Sequence, residues 1–157
     1  MSEPVLRQAL ASDAAALAQV MFRAIHEGPS PYTAAERAAW LPEPHVAPGW
    51  DARLAEQTVV LAESGAEVLG FLSLGAEGYV DLAFILPEAR GHGLFRALHD
   101  RMEAVARAAG LPRLFTHASL MAEPAFRACG YHLLKWEGVA RGDQLLRRAL
   151  MEKPLAR

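Results

Sequence analysis

Two features of the 157-residue chain bring together residue types that can do chemistry. The first is Arg90-Gly91-His92-Gly93, set between an apolar run and a long amphipathic stretch. The opening turn of a helix presents unpaired N–H groups and a partial positive end, and glycines remove the Cβ atoms that would keep a phosphate away. Arg90 can add a charged fork to such a cradle. A plain glycine turn joining strand to helix would read the same way, so both readings stand at this level. Gly91-x-Gly93-x-x-Arg96 lacks the third glycine of a dinucleotide fingerprint, and no Walker lysine stands at the required place. The second feature is Asp81, inside a strand pattern where Val80, Leu82, Phe84 and Leu86 form an apolar face and Tyr79, Asp81, Ala83 and Ile85 a mixed one. A carboxylate there costs several kcal/mol unless paired or wet. Asp81 is therefore either neutralised by a nearby Arg or lines a watered cleft.

The elements that must position these groups follow from periodicity and punctuation. Val5 to Ala9 suits a short strand, and Ser12-Asp13 offers a cap before the helical spacing of Leu17, Val20, Met21 and Ile25, which ends near Gly28. Thr33 can cap a second helix through Trp40, stopped at Pro42, and Pro42 to Gly49 reads as an ordered loop. Three short apolar runs come next, Thr58–Ala62, Val68–Leu74 and Tyr79–Leu86, separated by hairpin-length turns, so three consecutive antiparallel strands are expected. Leu94, Leu98, Met102, Val105 and Ala109 mark the buried stripe of a long helix. Leu114–Ala118 is a strand, Ala122–Ala128 a short helix, and Tyr131–Glu137 and Gln144–Met151 are closing strands. The order β-α-α-β-β-β-α-β-α-β-β describes a single α/β (α+β) domain over residues 1–157.

Composition narrows the function classes. Sixteen Lys plus Arg against eighteen Asp plus Glu give a net charge of −2, without the basic excess of a nucleic-acid binder. The single cysteine, Cys129, allows no intrachain disulfide or multi-cysteine zinc site, and reads as a small buried apolar residue of a protein from a reducing compartment. Histidines at 26, 45, 92, 99, 117 and 132 lack His-x-x-x-His spacing, so no metal is expected. The amino terminus is not basic and no apolar run reaches bilayer length, so the expectation is a cytoplasmic protein without a membrane partner.

The segment Leu82-Ala83-Phe84-Ile85-Leu86-Pro87-Glu88-Ala89-Arg90-Gly91-His92-Gly93-Leu94 resembles the signature of the GNAT superfamily of acyl-CoA-dependent N-acetyltransferases, Arg/Gln-x-x-Gly-x-Gly/Ala. Arg90 and Gly93 match, and Phe95 replaces the final small residue. Ser119-x-x-Ala122-x-x-x-Phe126-x-x-x-Gly130-Tyr131 resembles the family's second landmark, Asn-x-x-Ala-x-x-x-Tyr-x-x-x-Gly-Phe, and Met151-Glu152-Lys153-Pro154-Leu155 resembles the close of a bacterial subgroup. The resemblance implies a GNAT-like fold, a mixed, mostly antiparallel sheet of about six or seven strands flanked by about four helices. It also implies that acetyl-CoA and an amine bind together and the amine attacks the thioester directly, with no metal. Phe84, Ile85 and Leu86 would offer strand backbone to the pantetheine arm, Arg90, Gly91, His92, Gly93 and Leu94 would hold the pyrophosphate, and Phe126 would lie beside the cofactor.

An amine arrives protonated, so a proton must leave nitrogen and preferably another must reach the leaving thiolate. The family's usual donor is a tyrosine where this chain has Phe126. Tyr131, His117 and Ser119 are the candidate replacements, each as easily a sheet or turn residue, and Asp81 is the candidate to take the amine's proton. The first two helices and the following loop wall the acceptor side in the superfamily, which makes His26, Tyr32 and Trp50, with Tyr79 on the mixed strand face, the acceptor candidates. The partner expected is a small-molecule amine, with homodimerisation through the last strands as a family-level expectation. Phe95 and Phe126 also fit a non-catalytic acyl-CoA-binding or regulatory module.

Overall fold

The computed structural model describes residues 3–42 and 48–155. The chain runs β1 (Val5–Gln8), α1 (Ala14–His26), α2 (Ala34–Trp40), α3 (Trp50–Ala55), β2 (Thr58–Ser64), β3 (Glu67–Leu74), β4 (Tyr79–Ile85), α4 (Leu94–Ala108), β5 (Arg113–Ser119), α5 (Glu123–Ala128), β6 (His132–Arg141) and β7 (Gln144–Pro154). The seven strands form one sheet in the order β1-β2-β3-β4-β5-β7-β6. All neighbours are antiparallel except β4 and β5. The mixed, mostly antiparallel sheet with flanking helices is the expected architecture.

Helix α1 turns Leu17, Val20, Met21, Ala24 and Ile25 inward, and α4 does the same with Leu94, Leu98, Met102 and Ala106. Both pack on β3, whose residues from Val68 to Leu74 are all buried, as a strand covered on two faces must be. The stripe of α4 departs from expectation in its last turns. Val105 is 37% exposed, and Ala106 and His99 take the buried positions, because the i, i+4 row from Leu94 continues to Ala106. Helix α2 begins at a capping box: Thr33 Oγ1 accepts from the Glu36 N–H at 3.1 Å, and Glu36 Oε1 accepts from the Thr33 N–H at 2.8 Å. Helix α3 is an addition to the expected order. Its six residues offer only Trp50 and Leu54 as an apolar pair, too little for a periodic signal. Most of the expected Pro42–Gly49 loop, with His45, lies outside the described residues.

Two irregularities in β4 open the sheet and redirect its side chains. The strand pairs with β5 only at Tyr79–Phe115 and Val80–Thr116, and beyond these the two parallel strands separate. Gly78 makes the close approach possible: its φ is 96°, its carbonyl accepts from the Phe115 N–H at 3.0 Å, and a Cβ there would collide with the Arg113 carbonyl oxygen. Asp81 and Leu82 together oppose the single residue Ser73 of β3, a bulge in which the buried Ser73 hydroxyl accepts the Leu82 N–H at 2.9 Å. The bulge breaks the alternation read from the sequence. Tyr79, Asp81 and Phe84 consequently border one cavity instead of dividing between two faces.

Candidate functional site

The gap between β4 and β5 opens into two cavities. The first, about 600 Å³, is largely apolar and reaches from Ala83, Phe84 and Ile85 of β4 to Gly91, Gly93 and Leu94 at the head of α4. The second, about 380 Å³, lies on the side of Tyr79, Asp81 and His117. They share Ile25, Trp40, Phe84 and Ser119, with the Trp40 and Phe84 rings 6.1 Å apart. Two substrates, one in each cavity, would therefore meet across these four residues.

Backbone groups and helix geometry set the chemistry of the first cavity. The Leu86 N–H donates to Leu69, so by antiparallel alternation Leu86 and Phe84 face β3 while the N–H groups of Ala83 and Ile85 face the gap left by β5. This corrects the expectation for Phe84 and Leu86, whose backbone groups are turned to β3, and the Leu86 carbonyl also already accepts from Ala89. Ala83 was missed because a small residue on a mixed strand face carries no chemical signal. Gly91 and Gly93 stand at φ 81° and 79°, and a Cβ on either would meet nothing within 4 Å, so the space over the start of α4 is open. These are the features a phosphate needs: conformations that favour glycine, unfilled room and the free N–H groups of a 15-residue helix. Arg90 departs from its expected place. Its Nε donates to Ile85 O at 3.1 Å and its Nη2 to Ala24 O at 3.0 Å, so the guanidinium laces the loop to β4 and α1 instead of forking outward. Burial and the neighbouring Arg37 lower its pKa. His92 is exposed and lines neither cavity. Phe126, expected beside the cofactor, is 1% exposed and lines neither cavity; it packs edge-on to Tyr131 and to Phe95, which does border the first.

Polar groups converge in the second cavity. Tyr79 Oη and His117 Nδ1 are 2.8 Å apart, and His117 Nε2 lies 3.4 Å from Glu137 Oε1. The ionised Glu137 carboxylate can only accept, so the proton of the neutral ring is assigned to Nε2 facing it, which leaves Nδ1 to accept from the Tyr79 phenol. Burial pushes the Tyr79 phenol up, with the Asp81 charge adding to it, and burial with nearby Arg148 pushes the His117 imidazole down. Both are thus neutral at neutral pH. Glu137 is held ionised, chiefly by the hydrogen bond from Arg148. Asp81 satisfies both sequence alternatives at once: it borders the cavity and is clasped by Arg53 at 2.7 and 2.8 Å and by Gln57 at 2.9 Å. Burial disfavours its charge, yet the bonds from Arg53 and Gln57 outweigh that and hold its pKa below the usual carboxylate value. A carboxylate so engaged is a weak base. Ser119 Oγ accepts the Ala122 N–H at 3.1 Å, which leaves its own proton to donate.

Of the remaining candidates, Tyr131 does not reach either cavity. It is 3% exposed, its hydroxyl pairs with His99 Nε2 at 2.8 Å, and burial drives its pKa far up. His26 stacks on Phe22 and donates from Nε2 to Leu41 O at 2.5 Å, outside both cavities. Tyr32 and Trp50 do border the second cavity, but their polar tips are engaged. The Tyr32 hydroxyl donates to Arg147 O at 2.6 Å and accepts the Leu120 N–H at 2.9 Å, and Trp50 Nε1 donates to Ala14 O at 2.9 Å. Arg53, Gln57 and Glu137 were invisible in the sequence, since ordinary charged and polar residues acquire meaning only from the partners folding gives them. Cys129 is buried, and burial raises its thiol pKa. Among the described residues no three His, Cys, Asp or Glu side chains converge on a metal position, and no helix is long and apolar enough to cross a membrane.

The domain model described as acetyltransferase (GNAT) domain matches residues 29–150. The chain belongs to the GNAT acetyltransferase family. Among solved structures, this GNAT chain is similar to a GCN5-related N-acetyltransferase from Rhodopseudomonas palustris, at 28% identity and a TM-score of 0.86 over 99% of this chain and 98% of that one. It shares its fold with yncA from Salmonella typhimurium, a structure with acetyl-CoA, at 20% identity and a TM-score of 0.70 over 99% and 96% of the two chains. The fold also matches PaiA N-acetyltransferase from Thermoplasma acidophilum, a complex with coenzyme A, at 14% identity and a TM-score of 0.72 over 98% and 100%. Comparison with curated proteins gave no match. As a GNAT-type acetyltransferase the chain is an enzyme by family, and two of its departures from the family motifs, Phe95 and Phe126, pack edge-on against each other at 5.1 Å.

Proposed function

We propose that this acetyltransferase uses acetyl-CoA to acetylate the amine of a small molecule, with the first cavity for the cosubstrate and the second for the acceptor. The observation that carries the proposal is the meeting of the two cavities at Ile25, Trp40, Phe84 and Ser119, with the Tyr79–His117–Glu137 line on the acceptor side. Acetyl-CoA would supply the activated acyl group. Gly91, Gly93 and Leu94 would hold its phosphates, and the gap-facing backbone of Ala83 and Ile85 its amide-bearing arm. Apolar walls at Trp40 and Phe84 would exclude water from the junction.

The remaining chemistry is proton movement and orientation. An amine must lose a proton to act as nucleophile. As the amine passes that proton to Tyr79 Oη, the phenol's own proton moves to His117 Nδ1, and the resulting imidazolium faces the Glu137 carboxylate at 3.4 Å. Tyr79 ends as it began, and one proton has travelled from amine to imidazole. The clasp of Arg53 on Asp81 makes Asp81 a positioning residue for this wall and removes it from the role of base. Ser119 Oγ, on the boundary between the cavities, would donate a hydrogen bond to the leaving sulfur where Phe126 has nothing to donate, and the thiolate would leave as the anion and take its proton from water.

Two measurements test the reading. Acetyl-CoA should raise the melting temperature where equimolar ATP and NAD do not. A panel of amines should then release CoA thiol from acetyl-CoA, with the mass of the acetylated amine as confirmation. Binding of acetyl-CoA without thiol release from any amine would overturn the assignment and leave an acyl-CoA-binding module.

A further inference from the structure

The far wall of the acceptor-side cavity is made by β6 and β7, and it is charged. Register pairs Glu137 with Arg148, Val139 with Leu146, and Arg141 with Gln144. Directly opposed residues share a face, and β5 places Ser119 opposite Arg148 and His117 opposite Leu150. Glu137, Arg141 and Arg148 therefore stand on the same side of the sheet as His117 and Ser119. Arg147, one step along, also lines the cavity, but its guanidinium lies over the Trp136 ring at 5.2 Å.

The charges on this wall do not cancel. Arg53 is matched by Asp81, and Arg148 reaches Glu137 at 2.6 Å. Glu137 is also shared with Lys135 at 3.7 Å and faces His117. Arg141 has no carboxylate partner among the described residues; its Nη1 meets only the Ala140 carbonyl, at 3.2 Å. Arg53, Arg141, Arg147 and Arg148 thus line the cavity against Asp81, with Glu137 beside it on Arg148, and Arg141 is left without a carboxylate to bind an oxyanion. A polycationic amine would meet repulsion here, whereas an oxyanion would find a planar fork of donors.

We infer that the acceptor is an amine carrying an oxyanionic group, of which a free amino acid is the simplest case. Its amine lies toward Tyr79 and His117, and its oxyanion is taken by Arg141 with Arg148. This rests on the proposed N-acetylation and narrows its substrate class.

The test compares free amino acids with the same amino acids as primary amides, and adds spermidine as a polycation. Each is assayed for CoA thiol release from acetyl-CoA, and for binding to the CoA-loaded protein by calorimetry. An amide's amine is less basic and so more available as free base at neutral pH, which biases the comparison against the proposal. The expected result is an acid-over-amide ratio in kcat/KM of about tenfold or more for the best side chain. In R141Q/R148Q that ratio falls toward one, mainly through KM, and R141K retains part of it. Arg141 is exposed, so R141Q alone keeps the test valid if the double variant folds poorly. Amides or spermidine acetylated as well as the acids, or a ratio unmoved in R141Q, overturns the inference while leaving N-acetylation standing. No acetylation and no binding of either arm overturns both.

Discussion

Removing His117 tests the relay at the atom where the proton comes to rest. His117→Ala deletes the acceptor of the Tyr79 hydroxyl, a bond of 2.8 Å. Acid–base participation by a positioned side chain contributes ~10²–10⁴ in rate, so kcat/KM should fall by about that factor, or about 3–5 kcal/mol of transition-state stabilisation. Tyr79→Phe breaks the same path one atom earlier and should cost a comparable factor. Because the two groups act as one conduit, the double variant should lose no more than the worse single one. Folding should be little affected, since the lost bond is worth about 1 kcal/mol, or about 3 °C in melting temperature. The pH profile gives an independent reading. His117 accepts a proton only when neutral, and burial with Arg148 puts its pKa below the ordinary 6.5. The acid limb of kcat/KM should therefore lie below that pH in the wild type and vanish in H117A. The assay is thiol release at saturating acetyl-CoA with the best amine of the panel. Losses that multiply in the double variant, a loss under about threefold, or an acid limb that survives without His117 would refute the relay.

Other perturbations separate binding from packing. Asp81→Asn should cost about 2 kcal/mol by breaking charged hydrogen bonds to Arg53 and Gln57, and should raise the acceptor KM while leaving the acid limb in place. Because the folded pKa of Asp81 lies below 3.8, its stabilisation is present above that pH and lost as pH falls through the lowered value, so acid urea titrations of wild type and D81N should converge. Gly93→Ala forces a residue with φ of 79° to carry a Cβ, costing about 1–2 kcal/mol of stability, and should diminish the melting-temperature rise given by acetyl-CoA. Tyr32→Phe leaves the Arg147 carbonyl and the Leu120 N–H without their shared partner, with an expected loss of about 2 kcal/mol in denaturant titrations. His99 is buried with its pKa lowered to about 4 from 6.5, so the unfolded chain binds the extra proton between those values. Stability should rise by about 3 kcal/mol from pH 4 to 6.5, and H99Q should lose that slope.

Local signals explain what the sequence disclosed. The β2–β3–β4 meander was legible because its turns, Glu63-Ser64-Gly65 and Gly75-Ala76-Glu77-Gly78, lie between runs that close on their nearest neighbours. Helix α2 was legible from Thr33, whose cap is completed by Glu36 within four residues. The placement of β7 between β5 and β6 was not, since a strand's position across a sheet depends on contacts remote in sequence. Asp81 announced itself as a charge in an apolar strand. Its partner Arg53 did not, being one arginine among fourteen and 28 residues away. The bulge at Asp81 and Leu82 misled the reading of strand faces, because alternation presumes unbroken pairing and nothing in these residues marks the break. Arg90 was recognised by motif, but its turn inward onto Ile85 and Ala24 depends on where α1 comes to rest.

The separation of β4 from β5 also has a mechanical meaning. With only two register pairs joining them, the sheet consists of two plates, β1 to β4 and β5 to β7, meeting at a short seam beside Gly78. Force applied across the sheet concentrates on those few backbone bonds, whereas the long β5–β7 and β6–β7 ladders share their load over many residues. A ligand bonded to the free edge at Ala83 and Ile85 would act as a stitch across the tear. In a pulling experiment, the plates should part at lower force in the bare protein than in the acetyl-CoA-bound one, making rupture force a readout of occupancy that requires no turnover.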